Sequence, residues 1–259
     1  MTRGAGPYQG VAQELRGSPF ARIEYALETE STNADAAAQL GDERCGGLSI
    51  VAEYQRRGVG RKGRVWQALP GTALLFTTIL PRSVAAEHLW AVPFWTALAV
   101  GSALRECGVD TTLVWPNDLM LGERKVGGIL CQSRVAGAMA RIACGVGVNV
   151  QRLAGAGDGI EPLPAFCDDA AAVERPALLR AILHAYETLM DLLDAPGQVA
   201  ERWQRAALLP GRYYRIRRDD EDAAFEAIAQ GLDGRGGLRV IRLDGREETI
   251  ALGDARVLR

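Results

Sequence analysis

The chain has 259 residues, 48% of them hydrophobic, which suffices for one large domain or for a domain with a small appendage. Its 30 basic and 32 acidic residues leave a formal charge of −2, against the basic face of a general nucleic-acid binder. Five cysteines without a C-x-x-C pair read as the reduced thiols of a cytoplasmic protein, and two histidines, His88 and His184, leave little for a histidine metal site or a Ser-His-Asp triad.

In chain order, residues 1–20 lack clear periodicity and are expected as a loose tail or short helix. Residues 20–26 read as a strand, and the hydroxyl-rich 29–33 as the N-cap of a helix over 34–40. A buried strand follows at 48–54, then a glycine-rich basic loop over 55–71, too polar for core, and a β-branched strand at 72–80 closed by Pro81. Residues 85–106 form a long helix. Its apolar stretch 89–104 contains Pro93 and falls short of the ~20 residues of a membrane span. No charged n-region with an apolar run opens the chain, so no secretion signal is expected.

A strand over 111–115 stops at Pro116, because proline cannot continue a central ladder. Strands at 125–134 and 140–150 flank a hairpin turn at 135–139, and a Gly/Pro-rich loop covers 153–164. Amphipathic helices are expected at 174–193 and 199–207. Thereafter short strands (212–217, 225–230, 238–243, 248–251, 256–258) alternate with Gly/Asp turns, the pattern of a small β-barrel. The expected division is a tail over 1–20, a catalytic domain over 21–207 and a small β-domain over 208–259.

Two segments carry chemistry. Gly58-Val59-Gly60-Arg61-Lys62-Gly63-Arg64 combines glycines that let backbone approach a ligand with cations that attract an anion. The same pattern fits a solvated basic turn, and it is neither a Walker A motif nor a Rossmann fingerprint. Trp115-Pro116-Asn117-Asp118 ends an apolar strand in a turn bearing an amide and a carboxylate, suited to orienting an amine or to an ordinary Asn-Asp turn. Of the 30 basic residues 28 are arginine, and the two lysines, Lys62 and Lys125, sit in or beside these segments. A site needing a compact point charge on phosphate does not always accept arginine.

The runs Glu28-Thr29-Glu30-Ser31-Thr32-Asn33, Ala52-Glu53-Tyr54-Gln55, 58–66, 115–125, Gly127-Gly128-Ile129-Leu130 and Gly145-Val146-Gly147-Val148-Asn149 occur in the order and spacing of biotin–protein ligases. The chain resembles that family over residues 24–259. The resemblance implies an α+β fold: a class II synthetase-like mixed β-sheet with helices packed on it, plus a small C-terminal SH3-like β-barrel. It implies a monofunctional ligase, because residues 1–20 are too few for a DNA-binding winged helix.

The implied reaction makes biotinyl-5′-AMP from biotin and ATP, then transfers biotin to a lysine of a biotin carboxyl carrier protein. By resemblance Arg61 and Lys125 are the chief cations and Asp118 receives the amine. Ser31, Thr32, Asn33, Gln55, Gly58, Gly60, Gly127 and Gly128, with Arg61 and Lys125, are expected around biotin. Lys62, Arg64, Trp66, Asn117 and Asn149, again with Arg61 and Lys125, are expected around ATP. Mg²⁺ is expected on the ATP phosphates rather than on a protein site, no nucleic-acid or membrane partner is expected, and a homodimer is possible.

The chain departs from the family pattern at Val59 and Val114, where a cation is usual, and at Gln132, where a glutamate is usual. The departures predict weaker biotin binding, with Lys62 a candidate replacement charge. Competing implications are a lipoate or octanoate ligase or transferase on the same scaffold, and a non-catalytic biotin binder. The glycine-rich loop is further expected to be mobile until ligand orders it, shielding an adenylate from water.

Overall fold

The computed structural model describes residues 4–218, 223–253 and 255–258. The segment expected as a loose tail or short helix takes the helical form: a 3-10 turn at Gly6–Tyr8 leads into α1 (Gln9–Glu14). Tyr8, Val11, Leu15 and Phe20 are buried in the main core, so this segment is packed rather than loose.

Strand β1 (Arg22–Thr29) passes through α2 (Thr32–Ala37) to β2 (Leu48–Gln55), and the two strands pair in parallel as a β-α-β crossover requires. Next come β3 (Ala73–Ile79), the two-residue β4 (Val84–Ala85) and α3 (Val92–Glu106). The helix expected from residue 85 begins as 3-10 turns at Ala86–Ala91. Pro93 lacks a backbone N–H and is accommodated in the first turn of α3. Ten of its fifteen residues are buried, the pattern of a helix enclosed in a core.

Strands β5 (Thr112–Val114) and β6 (Asp118–Leu121) form a tight hairpin around Trp115-Pro116-Asn117, with Val114 opposite Asp118. The second arm of this hairpin was not evident in the sequence. The long hairpin β7 (Arg124–Ala136) and β8 (Met139–Asn149) turns at Gly137, whose positive φ of 62° suits glycine. Helices α4 (Arg175–Leu189) and α5 (Pro196–Ala206) follow, joined by a 3-10 stretch at Met190–Asp194.

The eight-stranded mixed sheet runs β1-β2-β3-β8-β7-β6-β5, with β4 on β8, and only β1 with β2 is parallel. Helices α3 and α4 cover one face, where Trp95 stacks on Tyr186 at 4.8 Å between ring centroids and donates Nε1–H to the Leu189 carbonyl at 2.7 Å. The smaller α2 lies on the other face, with Ala36 and Leu40 against Leu48, Ile50, Ile79 and Ala143. That face is otherwise left open for the site.

The last five strands, β9 (Tyr213–Arg218), β10 (Ala224–Leu232), β11 (Leu238–Arg242), β12 (Glu247–Ile250) and β13 (Ala255–Leu258), form a second, antiparallel, barrel-like sheet ordered β12-β11-β10-β9-β13. The main core continues into it: Tyr214, Ile216, Ala227, Leu238 and Val240 are buried with the residues of α3 and α5. No helix among the described residues is long and apolar enough to cross a membrane.

Candidate active site

A cavity of about 770 Å³ opens on the sheet face left free by α2. Its lining includes Ser31, Thr32, Asn33, Gln55, Gly60, Arg61, Arg64, Trp66, Asn117, Lys125, Gly128 and Asn149, so most of the residues singled out in the sequence converge there. Gly58, Lys62, Gly127 and Asp118 are not part of that lining. Lys62 sits exposed at the loop tip.

One end of the cavity is a polar cluster built by the β1–α2 junction against β2 and β3. Gln55 ends β2, and its Oε1 accepts from the Thr32 backbone N–H at 2.8 Å and the Thr32 hydroxyl at 3.1 Å, capping the first turn of α2. The Thr77 hydroxyl lies 2.9 Å from that of Thr32, and Asn33 donates Nδ2–H to the Leu130 carbonyl at 3.0 Å. Asn33 fits only because residue 145 is glycine: a Cβ there would overlap the Asn33 side chain. Thr32 and Asn33 are thus committed to internal bonds that hold Gln55 and Leu130 in position.

The other end is cationic. Lys125, on β7, forms an ion pair with Asp118, which is 5% exposed at the start of β6, and its Nζ lies 5.5 Å from the centroid of the Trp66 ring. Burial, reinforced by the nearby Arg64 and Arg61 guanidinium groups, pulls the Lys125 pKa down to about 7. Asn117 donates Nδ2–H to the Ile129 carbonyl at 2.7 Å; its Oδ1 is buried without a hydrogen-bond partner among the described residues. Between the two ends the Trp66 ring lies on Gly147 and Gly128, where a Cβ would crowd the indole. The strand glycines give the cavity a flat floor.

The basic loop is a small hairpin. Val59 pairs with Val65, the Gly60 N–H donates to the Arg64 carbonyl at 2.7 Å and the Trp66 N–H to the Gly58 carbonyl at 2.8 Å. Lys62 has a φ of 57° at its tip. A side chain at residue 58 would collide with the Trp66 carbonyl, so the backbone there requires glycine.

Sequence reasoning missed three contributions. Tyr54, Arg56 and Phe166 line the cavity, and residues 155–162 form much of its outer wall. Asn149 fixes that wall's end by donating Nδ2–H to the Ala165 carbonyl at 3.0 Å, and Arg152 lies over the Phe166 ring at 4.4 Å. Arg61 also donates to the Leu252 carbonyl in the turn after β12, a contact across 191 positions that no local pattern encodes. Among the described residues no cluster of three His, Cys, Asp or Glu exists to hold a metal ion.

Residues 29–149 match the model of the Biotin/lipoate A/B protein ligase family. The chain is 30% identical over 232 residues to the biotin–[acetyl-CoA-carboxylase] ligase of Paracoccus denitrificans, covering 85% of this chain and 94% of that one. It is 26% identical over 255 residues to the enzyme of the same name from Mycobacterium tuberculosis, covering 94% and 91%. Its fold is that of the biotin protein ligase of Aquifex aeolicus solved with biotin and ATP: TM-score 0.71, 21% identity, 92% of this chain and 99% of that one.

Proposed function

The chain belongs to the biotin/lipoate A/B protein ligase family, and we propose that it is an ATP-dependent ligase that activates biotin as biotinyl-5′-AMP and transfers it to a lysine of a biotin carboxyl carrier protein or domain. One observation carries the choice of biotin over lipoate or octanoate: a single cavity joins a hydrogen-bonding cluster at Gln55 to a cationic end at Arg61, Arg64 and Lys125. A ureido ring offers two N–H donors and a carbonyl acceptor to such a cluster. A dithiolane ring or an alkyl chain offers none, and would gain no hydrogen bond from the Ser31 hydroxyl or the Gln55 amide.

A carboxylate is a poor acylating agent. In the first step the biotin carboxylate oxygen attacks the α-phosphate of ATP, and pyrophosphate leaves with the P–O electron pair. Arg61 and Lys125 supply positive charge where negative charge gathers, and Arg64 adds to it. Ser31 and the Gln55 amide face the ureido ring, supported by Thr32 and Asn33, and Gly60 lets backbone approach the ligand. Trp66, Asn117 and Asn149 serve the nucleotide.

In the second step the lysine amine attacks the acyl carbon, the bond to AMP breaks, and Asp118 orients the amine. Mg²⁺ would be carried mainly by the ATP phosphates, where it would supply further charge neutralisation. The protein acts in the cytoplasm, and a homodimer has a surface available: among the described residues β7 beyond Leu130 takes a strand partner from β8 alone.

Biotin-dependent exchange of labelled pyrophosphate into ATP tests this reading. Lys125→Ala and Arg61→Ala each lower the exchange rate by two to three orders of magnitude, roughly the ~3–4 kcal/mol lost with one oxyanion-type donor. Exchange supported by octanoate or lipoate but not biotin selects the other substrate class. No exchange with any of the three leaves a non-catalytic biotin binder.

A further inference from the structure

Strands β7 and β8 form the floor of the cavity, and their two faces carry different chemistry. Leu130 pairs with Gly145 on the cavity side, where Asn33 docks. The next pair, Cys131 with Cys144, lies on the opposite face, because side chains alternate along a strand. There the two cysteines stand directly opposite each other, and Cys131 Sγ lies 3.7 Å from the Thr96 hydroxyl of α3. Cys144 is buried, whereas Cys131 keeps partial exposure. The ligase chemistry uses neither thiol.

Directly opposed residues of an antiparallel pair have Cα atoms ~4.5 or ~5.5 Å apart, and both spacings fall within the ~4.4–6.8 Å range of disulfides. We propose that Cys131 and Cys144 are a redox-sensitive pair that closes to a cross-strand disulfide under oxidising conditions and thereby weakens biotin binding on the other face of the same strands. Closure by a low-molecular-weight disulfide is balanced. A Cys131 thiolate attacks one sulfur of the oxidant and expels one thiolate. Cys144 then attacks the mixed disulfide at Cys131 and expels the second. Two protein thiols lose two electrons and two protons, and the oxidant becomes two thiols.

The neighbouring Cys144 thiol and burial both push the Cys131 thiol up, so its thiolate is scarce and attack on an oxidant is slow. The coupling to binding is short. A disulfide draws the Cβ atoms to ~3.8 Å and repositions the adjacent Leu130–Gly145 pair. That pair supplies the carbonyl that holds Asn33 and the gap into which Asn33 fits, and Asn33 belongs to the network around Gln55.

The inference rests on the ligase reading for its functional half only. The full chain is incubated with excess oxidised glutathione at pH 8.5 and mapped by mass spectrometry without reductant, and the KM for biotin in pyrophosphate exchange is measured before and after. A Cys131–Cys144 cross-linked peptide is expected, with a KM raised by about fivefold or more and restored by dithiothreitol. Cys131→Ser is expected to match reduced wild type and to lose the oxidant response; Cys131→Ala serves if the serine variant is poorly folded.

Glutathione adducts without the cross-link overturn the proposal, as does a cross-link that leaves the biotin KM unchanged. Absence of exchange in reduced wild type counts against the ligase reading instead. The mapped peptides and calorimetric biotin binding then decide the pair.

Discussion

At the residue scale the site turns on Lys125. Burial and the neighbouring Arg64 and Arg61 hold the folded Lys125 pKa down at about 7, whereas an α-phosphate beside it favours the ammonium. The folded-state pKa lies below the ordinary value, so between about 7 and the ordinary lysine range the unfolded chain binds a proton that the ligand-free fold does not. In that window this group makes stability rise with pH, and ligand binding takes up a proton. Calorimetric titration of biotin with ATP at pH 8, in buffers of different ionisation enthalpy, is expected to report net proton uptake that is absent from Lys125→Met. Val59 is the second residue of consequence. It lines the cavity with 47% of its surface exposed, where the family usually has a cation. Val59→Arg adds one charge-assisted hydrogen bond and is expected to lower the biotin KM by roughly fivefold to tenfold, about 1 kcal/mol, with kcat unchanged. An unchanged KM would mean that Arg61, Arg64 and Lys125 already saturate the carboxylate and phosphate. Both residues were legible in the sequence because each is one charge gained or lost in a short motif. Leu252 was not, since its contribution is a backbone carbonyl that any residue possesses.

At the scale of elements, the strands that carry the site were readable because β-branched runs and abrupt Pro or Gly stops coincide there, as at 72–80 and at the hairpin β7–β8. Element ends were less readable. The hairpin of β5 and β6 is set by pairing to β7, and the interrupted start of α3 by its contacts with the core, neither of which is local. The basic loop lies between these cases. Its glycines signalled a turn, but the pairing of Val59 with Val65 depends on two valines exposed enough to look like errors of pattern. Few backbone bonds hold this hairpin, and its tip residues Lys62 to Arg64 are exposed, so closure over ligand costs little reorganisation. Limited proteolysis with trypsin is expected to cut at 61–64 in the free protein and to slow markedly with biotin and ATP together. Equal cleavage in both states would remove the solvent-excluding role. A further expectation concerns the floor: Gly145→Ala places a methyl group in the Asn33 side chain and is expected to raise the biotin KM by tenfold or more, about 1–3 kcal/mol of overpacking expressed at the site.

At the scale of the molecule, the C-terminal β-domain is joined twice to the cationic end of the cavity. The Trp115 indole donates Nε1–H to the Gly236 carbonyl at 3.1 Å, two residues before Asn117, while Arg61 donates to Leu252. A Cβ on Gly236 would meet Phe94, Trp90 and Leu252, so the turn after β10 presses into the aromatic cluster of α3. The molecule contains its own control for the worth of this joint. Trp203, on α5, is also fully buried, but its indole Nε1 has no hydrogen-bond partner among the described residues. Replacing either tryptophan by phenylalanine removes the same atoms from a packed core, so the transfer and cavity costs are similar. The substitutions differ in the bond. Trp115→Phe strands a buried carbonyl, at about 1–3 kcal/mol, whereas Trp203→Phe removes a donor that was already unsatisfied and recovers part of its cavity cost. Urea denaturation is therefore expected to find Trp115→Phe less stable than Trp203→Phe by about 1–3 kcal/mol at equal m-values. Because Trp115 leads directly into Asn117 and Asp118, Trp115→Phe is also expected to lower kcat for carrier biotinylation, whereas Trp203→Phe leaves it unchanged. Equal stability and equal kcat in the two variants would mean that the barrel-like sheet only shields the core and takes no part in holding the turn that bears Asp118.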